Sequence, residues 1–470
     1  MRARRVAHVV IGVLVLAGSA ASCGRSSHSS RSNAAPPAST GAGVLGAADI
    51  SKACKSAPLA ATETGVTATD ITIEVMADTG SPLAPGIFQG DVDAITGFAR
   101  YINAHGGLGC RKLVVRTWDS KFDPTEVKNG QLDACQNALA LVGDNSVFDP
   151  DPSAMEQCRD HAGSATGLPD VAAFAVDTNE MCSPVTIGVN TRTEKCPVAP
   201  NTTRDFVRVA GPMKKLLELH PGLHGVYLGN GDLPSTKVSA IPDIAAQEKM
   251  GITFDAKLLN SAREPQAAYV PRVGFLRAGA NYVYGGTSDT AMVAFMKEAI
   301  AQGVDPSKVA WECNVACYTR TFLSNGAAAV EGAYVWVPFV PLEETDTNPA
   351  LDAYVSTIGR AKVDTWGIVS WQAAIAFQQA INRIVADKGP NAITRAALLP
   401  ALKAMTHFDA AGISGPRSLT AYSPCYALVQ VRGGKFVRVW PTKRGTLDCD
   451  ATNLVTVTAN PEKQAATDLH

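Results

Sequence analysis

Downstream of Asp70 the chain alternates between short apolar runs rich in β-branched and aromatic residues and longer stretches whose apolar positions recur at helical spacing. That alternation is the pattern of a doubly wound parallel sheet covered by helices. Residues 71–76, 113–118, 138–142 and 171–174 read as strands, with helices at 89–105, 125–137 and 153–162 between them. In the first helix Val92, Ile95, Phe98 and Ile102 share a face, and Gly106-Gly107 stops it where a left-handed cap is needed. These elements make one βα lobe.

The cycle then restarts. A helix at 206–219, a strand at 225–228, a helix at 240–250 and a strand at 282–284 open a second lobe, followed by a helix at 291–302 and strands at 309–312 and 332–337. Residues 371–385 carry a long apolar helical face, and Gly433-Gly434 between two β-rich runs in 426–439 signals a hairpin. At 470 residues, with 46% hydrophobic and 18% charged residues, the chain is long and apolar enough for more than one core. Its net charge of −1, with no Lys/Arg run interleaved with aromatics beyond residue 10, speaks against nucleic-acid binding.

The first residues read as an export signal: Arg2, Arg4 and Arg5 are basic, 6–16 is mostly apolar, and small residues lead to Cys23. A bilayer span needs about 20 apolar residues, and Gly18, Ser19 and Ser22 interrupt the run first. Ala20-Ala21-Ser22-Cys23 resembles a bacterial lipobox, which implies lipidation of Cys23 and anchoring to the outer face of the cell membrane; Ala-x-Ser before a cut also suits ordinary signal peptidase. The chain has 11 cysteines, and setting Cys23 aside leaves an even set that can pair in an oxidising compartment. Proximity suggests Cys182 with Cys196, Cys313 with Cys317 and Cys425 with Cys449, leaving Cys54, Cys110, Cys135 and Cys158 for two further bridges. Residues 24–65, rich at first in Ser, Ala, Pro and Gly, read as a flexible tether after a signal peptide at 1–23.

The ordered series ITIEVMADTGSPLAPG (71–86), INAHGGLGCRK (102–112), TWDSKFDP (117–124), ALALVGDNSVFD (138–149), YVYGGTSDTAMVAFMKEA (282–299) and VEGAYVWVPF (330–339) resembles the branched-chain amino-acid family of type I periplasmic binding proteins, the substrate-binding lipoproteins of ABC transporters. The resemblance implies an α/β fold of two doubly wound parallel-sheet lobes joined by three crossovers, with lobe one at 66–190 and 330–405, lobe two at 191–329 and 406–457, and a loose tail at 458–470. It implies hinges near 186–205, 320–330 and 400–415. It also implies a small-molecule ligand, an amino acid or similar polar solute, and an ABC transporter permease as partner.

In such sheets a ligand sits beyond the carboxyl ends of the strands. That rule selects the loops at 80–88 with Phe88, 144–148, 175–179, 229–233 with Asn230 and 285–289 with Thr287 and Asp289, and Phe339 on a return loop; the resemblance implies contacts to a carboxylate from Asn145 or Ser146 and from Ala175 with Asp177 or Thr178. Asp and Asn after a strand also cap helices, and Phe88 and Phe339 also suit a core. Asp144 and Asp177 repel a carboxylate ligand unless they point away. No G-x-S-x-G, H-E-x-x-H or G-x-x-x-x-G-K-[ST] motif occurs, and Cys313-x-x-x-Cys317 lacks the second ligand pair of a zinc site. The expectation is therefore a binding protein without catalysis, cofactor or metal; a stand-alone ligand sensor and an exported enzyme are the alternatives.

Overall fold

The computed structural model describes residues 44–470 except 82–84, 191–195 and 262. Strand β1 (Asp70–Ala77) buries Ile71, Ile73 and Val75, and pairs in parallel with β2 (Lys112–Asp119), Ile71 opposite Leu113. Helix α1 (Gln89–Ala104) covers them with Ile95, Phe98 and Ile102. Helix α2 (Pro124–Asn137) starts on a proline, with the Asp123 carboxylate accepting from the amides of Thr125 and Glu126. After it come β3 (Leu141–Val142), α3 (Ser153–Glu156), β4 (Asp170–Val171) and α4 (Thr178–Cys182), giving a parallel sheet in the order β2-β1-β3-β4. The helix expected at 153–162 ends at Glu156. Beyond it the Asp160 carboxylate accepts from the amides of Ala162 and Ser164, a side-chain turn that replaces helical bonding.

The helix expected at 206–219 is two elements. Residues 204–209 form β5 (Arg204–Val209), and α5 (Gly211–Leu219) begins only at Gly211, after Ala210 donates its amide to Asn453 O. Alternating burial and pairing with residues 454–459 hold the first half extended.

The second sheet then builds up from β6 (His224–Asn230), α6 (Pro234–Met250), β7 (Thr253–Asn260), α7 (Gly274–Arg277), β8 (Tyr282–Gly286), α8 (Asp289–Ala301), β9 (Ala310–Cys313), α9 (Arg320–Gly326) and β10 (Tyr334–Val337). Strands β7-β6-β8-β9-β10 are parallel. Helices α10 (Pro349–Ile358), α11 (Thr365–Lys388) and α12 (Arg395–Lys403) return to the first sheet, where α11 packs on α1. The hairpin β11 (Ala427–Arg432) and β12 (Lys435–Trp440) adds two antiparallel strands to the second sheet, turning on Gly433 and Gly434 at φ 59° and 70°. Strand β13 (Leu454–Ala459) pairs with β5, and α13 (Pro461–Thr467) packs on α6.

The middle passage between sheets lies at 338–348, not at 320–330. Tyr334 and Val335 pair with Glu312 and Cys313, so 330–337 stays with the second lobe. The tail is not loose: Leu469 is buried and His470 exchanges backbone hydrogen bonds with Lys257 and Leu259. Of the expected tether, 44–65 is docked. Gln378, Gln379 and Asn382 of α11 donate to the carbonyls of Val44, Leu45 and Ala48, and Cys54 is bonded to Cys110. Three side-chain amides on one helix face give that backbone the partners it lacks alone. The signal peptide and Cys23 lie outside the described residues.

Disulfides join Cys182–Cys196, Cys313–Cys317 and Cys425–Cys449, with Cys54–Cys110 and Cys135–Cys158 completing the set. Among the described residues no helix is long and apolar enough to cross a membrane.

Candidate ligand-binding cleft

A cleft of about 340 Å³ opens between the two sheets at the carboxyl ends of their parallel strands. The first sheet supplies Asn145 beyond β3 and Phe174 to Val176 beyond β4; the second supplies Asn230 at the end of β6, Thr287 beyond β8 and Asn314 beyond β9. The strand geometry places these residues there, because each parallel strand ends in a loop on the same side of its sheet.

The walls are largely aromatic. Tyr227 of β6 stacks on Tyr284 of β8, ring centroids 5.4 Å apart at 25°. Trp366, at the start of α11, meets Phe88 edge-on at 4.9 Å and Phe174 at 5.1 Å. Trp336 projects from β10. Burial raises the Tyr227 and Tyr284 hydroxyls well above their ordinary range, so both are neutral donors at physiological pH.

Two polar atoms on these walls have no hydrogen-bond partner, Asn145 Oδ1 and Thr287 Oγ1, while the Trp336 indole N–H is engaged by the Tyr284 hydroxyl. Asn145 is 1% exposed and Thr287 3%, so neither atom is satisfied by bulk water. Asn145 Nδ2 is occupied, donating to Asp91 Oδ2 at 3.2 Å, and Ser370 Oγ donates to the other Asp91 oxygen at 2.5 Å. Burial pushes the Asp91 carboxyl well up against the pull of the Ser370 hydrogen bond. The Arg208 guanidinium, also on the cleft wall, is paired with Asp243 at 2.6 Å. One lobe therefore offers a free acceptor and the other a free hydroxyl to the same aromatic-walled cleft, an arrangement that binds and orients a guest.

Residues 268–435 match the family model described as "Periplasmic binding protein". The full fold matches a substrate-binding protein of an ABC transporter from Aeropyrum pernix (TM-score 0.62, 12% identity, 85% of this chain and 99% of that one). It also matches a fatty acid ABC transporter substrate-binding protein from Thermomonospora curvata (0.59, 16%, 82% and 97%) and a leucine binding protein from Thermotoga maritima (0.58, 12%, 78% and 97%). This is the type I periplasmic binding protein fold. No curated protein matches the sequence.

Within this periplasmic-binding-protein fold the residues selected from sequence divide into two groups. Phe88, Asn145, Ala175, Asn230 and Thr287 line the cleft. Ser146 is buried behind it, donating to Asp144 Oδ1 at 2.9 Å. Asp177 caps α4, accepting from the Asn179 amide at 2.9 Å, and Thr178 is the first residue of that helix. Asp289 accepts from Thr319 Oγ1 at 2.6 Å and lines an adjoining cavity that shares Ile87, Ser288, Ala316 and Trp366 with the cleft, and Phe339 is fully buried against Tyr318.

The loop rule missed Tyr227, Tyr284 and Trp336, which lie inside strands. Their signal was the period of two: alternate strand residues point to one face, and aromatics at facing positions of β6 and β8 mark that wall. Arg208 was hidden because its strand read as helix.

Proposed function

We propose that the protein is an extracytoplasmic solute-binding lipoprotein that captures one small molecule between its lobes and hands it to an ABC transporter. The observation that carries the reading is the set of buried, unpartnered polar atoms contributed by both lobes to one aromatic-walled cleft. Five disulfides support an oxidising compartment, and the basic, apolar and small-residue order ahead of Cys23 supports export with lipidation there. The lining favours a solute with a flat or apolar body and a polar end over a small, highly polar one: stacked tyrosines and two tryptophans offer area, and Asn145 and Thr287 offer few but well-placed hydrogen bonds.

Binding proceeds by the lobes closing over the guest, so that Asn145 of one lobe and Thr287 of the other reach it together. The closed shape is then what the permease recognises. The test is mass spectrometry of small molecules released from the purified, natively folded protein, followed by calorimetry with each candidate. A single equivalent of one compound is expected. Chemical turnover of that compound, or no saturable binding by any released molecule, would refute the reading.

A further inference from the structure

The cleft continues into the second lobe, between α6 and the strands that this helix covers. Thr236, Ser239 and Asp243 line it at helical spacing from one face of α6, and Tyr227 and Tyr284 line it from β6 and β8. A helix face turned to a sheet is ordinarily apolar, and α6 does bury Ala240, Ile241 and Ile244 beside this polar stripe. The Thr236 and Ser239 hydroxyls donate to carbonyls nearby in the chain, Leu233 O at 2.8 Å and Thr236 O at 3.0 Å. The Asp243 carboxylate instead reaches out to Arg208 on β5.

That ion pair is made with a single prong. Arg208 Nε meets Asp243 Oδ1 at 2.6 Å and Nη1 donates to Val207 O at 3.3 Å, while Nη2 and Oδ2 bond to no protein group among the described residues. Other arginines of this chain take their carboxylate with two prongs: Arg204 with Glu462, Arg272 with Glu264, Arg438 with Glu344 and Arg444 with Asp346. Two parallel bonds are the geometry that guanidinium and carboxylate favour. The pair on the cleft wall therefore keeps one donor and one acceptor in reserve. Burial raises the Tyr227 and Tyr422 hydroxyls, and both charges of the pair act on them, so the two phenols stand beside it on the same wall.

We propose that the solute carries a neutral planar amide edge, a carbonyl beside an N–H, which Arg208 and Asp243 read together. Arg208 Nη2 donates to the carbonyl and Asp243 Oδ2 accepts from the N–H, so the guest completes the two-pronged pattern that the pair leaves open. The charges of the pair oppose each other: a carboxylate attracted by Arg208 is repelled by Asp243, and an ammonium meets the reverse. A neutral group with both a donor and an acceptor escapes that conflict. The stacked Tyr227 and Tyr284 rings suit a flat amide-bearing body better than a puckered polyol. The inference rests on the cleft being the solute site and names the group the solute presents there.

The test is calorimetry on the full-length protein, dialysed free of co-purified solute, with benzamide as an open carboxamide and uracil as a ring amide, each against its N-dimethylated form. Benzoate, benzylamine and benzyl alcohol are the charged and hydroxyl controls. Saturable binding of benzamide or uracil at one site is expected, which separates the open from the ring source, and dimethylation and each control should be weaker at least about tenfold. Arg208→Lys keeps the charge without the fork, and Asp243→Asn keeps the shape while offering a donor in place of an acceptor. Each should erase the preference for the N–H form, a ratio that a general loss of packing leaves unmoved. Should a variant fail to fold, the wild-type series decides alone. Binding by neither amide, indifference to dimethylation, or a control that binds as tightly would overturn the inference. A solute released from the native protein that binds saturably yet has no such edge would overturn it while leaving the solute-binding reading intact.

Discussion

Arg208 Nε lies 2.6 Å from Asp243 Oδ1, joining the edge strand β5 to α6 on the wall of the cleft. The two ends are unequally buried, with the arginine side chain 9% exposed and the aspartate 34%. Removing Asp243 leaves a guanidinium stranded in a largely dry site, whereas removing both charges leaves none. Asp243→Ala should therefore cost ~2 kcal/mol of stability in urea unfolding, and the Arg208→Met/Asp243→Leu double variant should regain most of it. Strict additivity of the two single changes would show that the pair contributes no coupling.

Tyr282 Oη lies 2.5 Å from Glu312 Oε2 and 2.8 Å from Gln247 Oε1, two acceptors for one hydroxyl proton. A protonated Glu312 resolves this by donating to the tyrosine, which then donates to Gln247. Burial raises Glu312 from 4.5 to about 7, the tyrosine hydrogen bond opposing. The folded state thus keeps a proton that the unfolded chain has already released. Stability from this group is complete below about pH 4.5, declines as pH rises through about 7, and is level above; the loss is at most ~3 kcal/mol. Glu312→Gln holds the neutral form at every pH. The difference in unfolding free energy between wild type and this variant should shift in the variant's favour between pH 4.5 and 8, and a pH-independent difference would be evidence for an ionised Glu312.

The alternation of strand and helix patterns made the two-lobe architecture readable, because burial on both faces forces long apolar runs and each helix shows its periodic face. Boundaries were less readable where tertiary pairing decides. Residues 204–209 share apolar content with the helix that follows, and only β13, some 250 residues later, selects the extended form. The same holds at 332–337, whose lobe is set by pairing with β9. Composition made 24–65 look like tether, yet its described portion is held by amides of α11 that carry no sequence signature. For the cleft, loop residues such as Asn145 and Thr287 were legible from strand ends. The inward faces of β6, β8 and β10 required register, which the sequence does not state.

Leu233, between β6 and α6, packs against Phe88 and Val147 of the first lobe, and Ser235 Oγ donates to Val147 O at 3.0 Å. These contacts cross the cleft and are made only while the lobes are together. Leu233→Ala removes most of the apolar latch, on the order of 2 kcal/mol, without touching either sheet. Once a ligand is known, its dissociation should accelerate about tenfold in stopped-flow measurements while the association rate changes little. Small-angle scattering of the unliganded variant should report a larger radius of gyration than wild type; unchanged kinetics and scattering would mean the latch does not hold the closed form.

Thr287 offers a test in which stability and binding move in opposite directions. The residue is 3% exposed and no protein group satisfies its buried hydroxyl, so the unliganded fold carries the desolvation penalty of an unmade hydrogen bond. Valine has nearly the same shape and no hydroxyl. Thr287→Val should raise the stability of the unliganded protein by ~1 kcal/mol, since an apolar group then occupies a site with no polar partner. The same change should weaken ligand binding about tenfold, because the bound solute supplies the missing partner and loses it here. A hydroxyl that served only the fold would behave the other way, with stability falling on substitution and affinity unmoved. Paired denaturation and calorimetry on this one variant therefore separate a binding group from a structural one, and a loss of stability without a loss of affinity would remove Thr287 from the site.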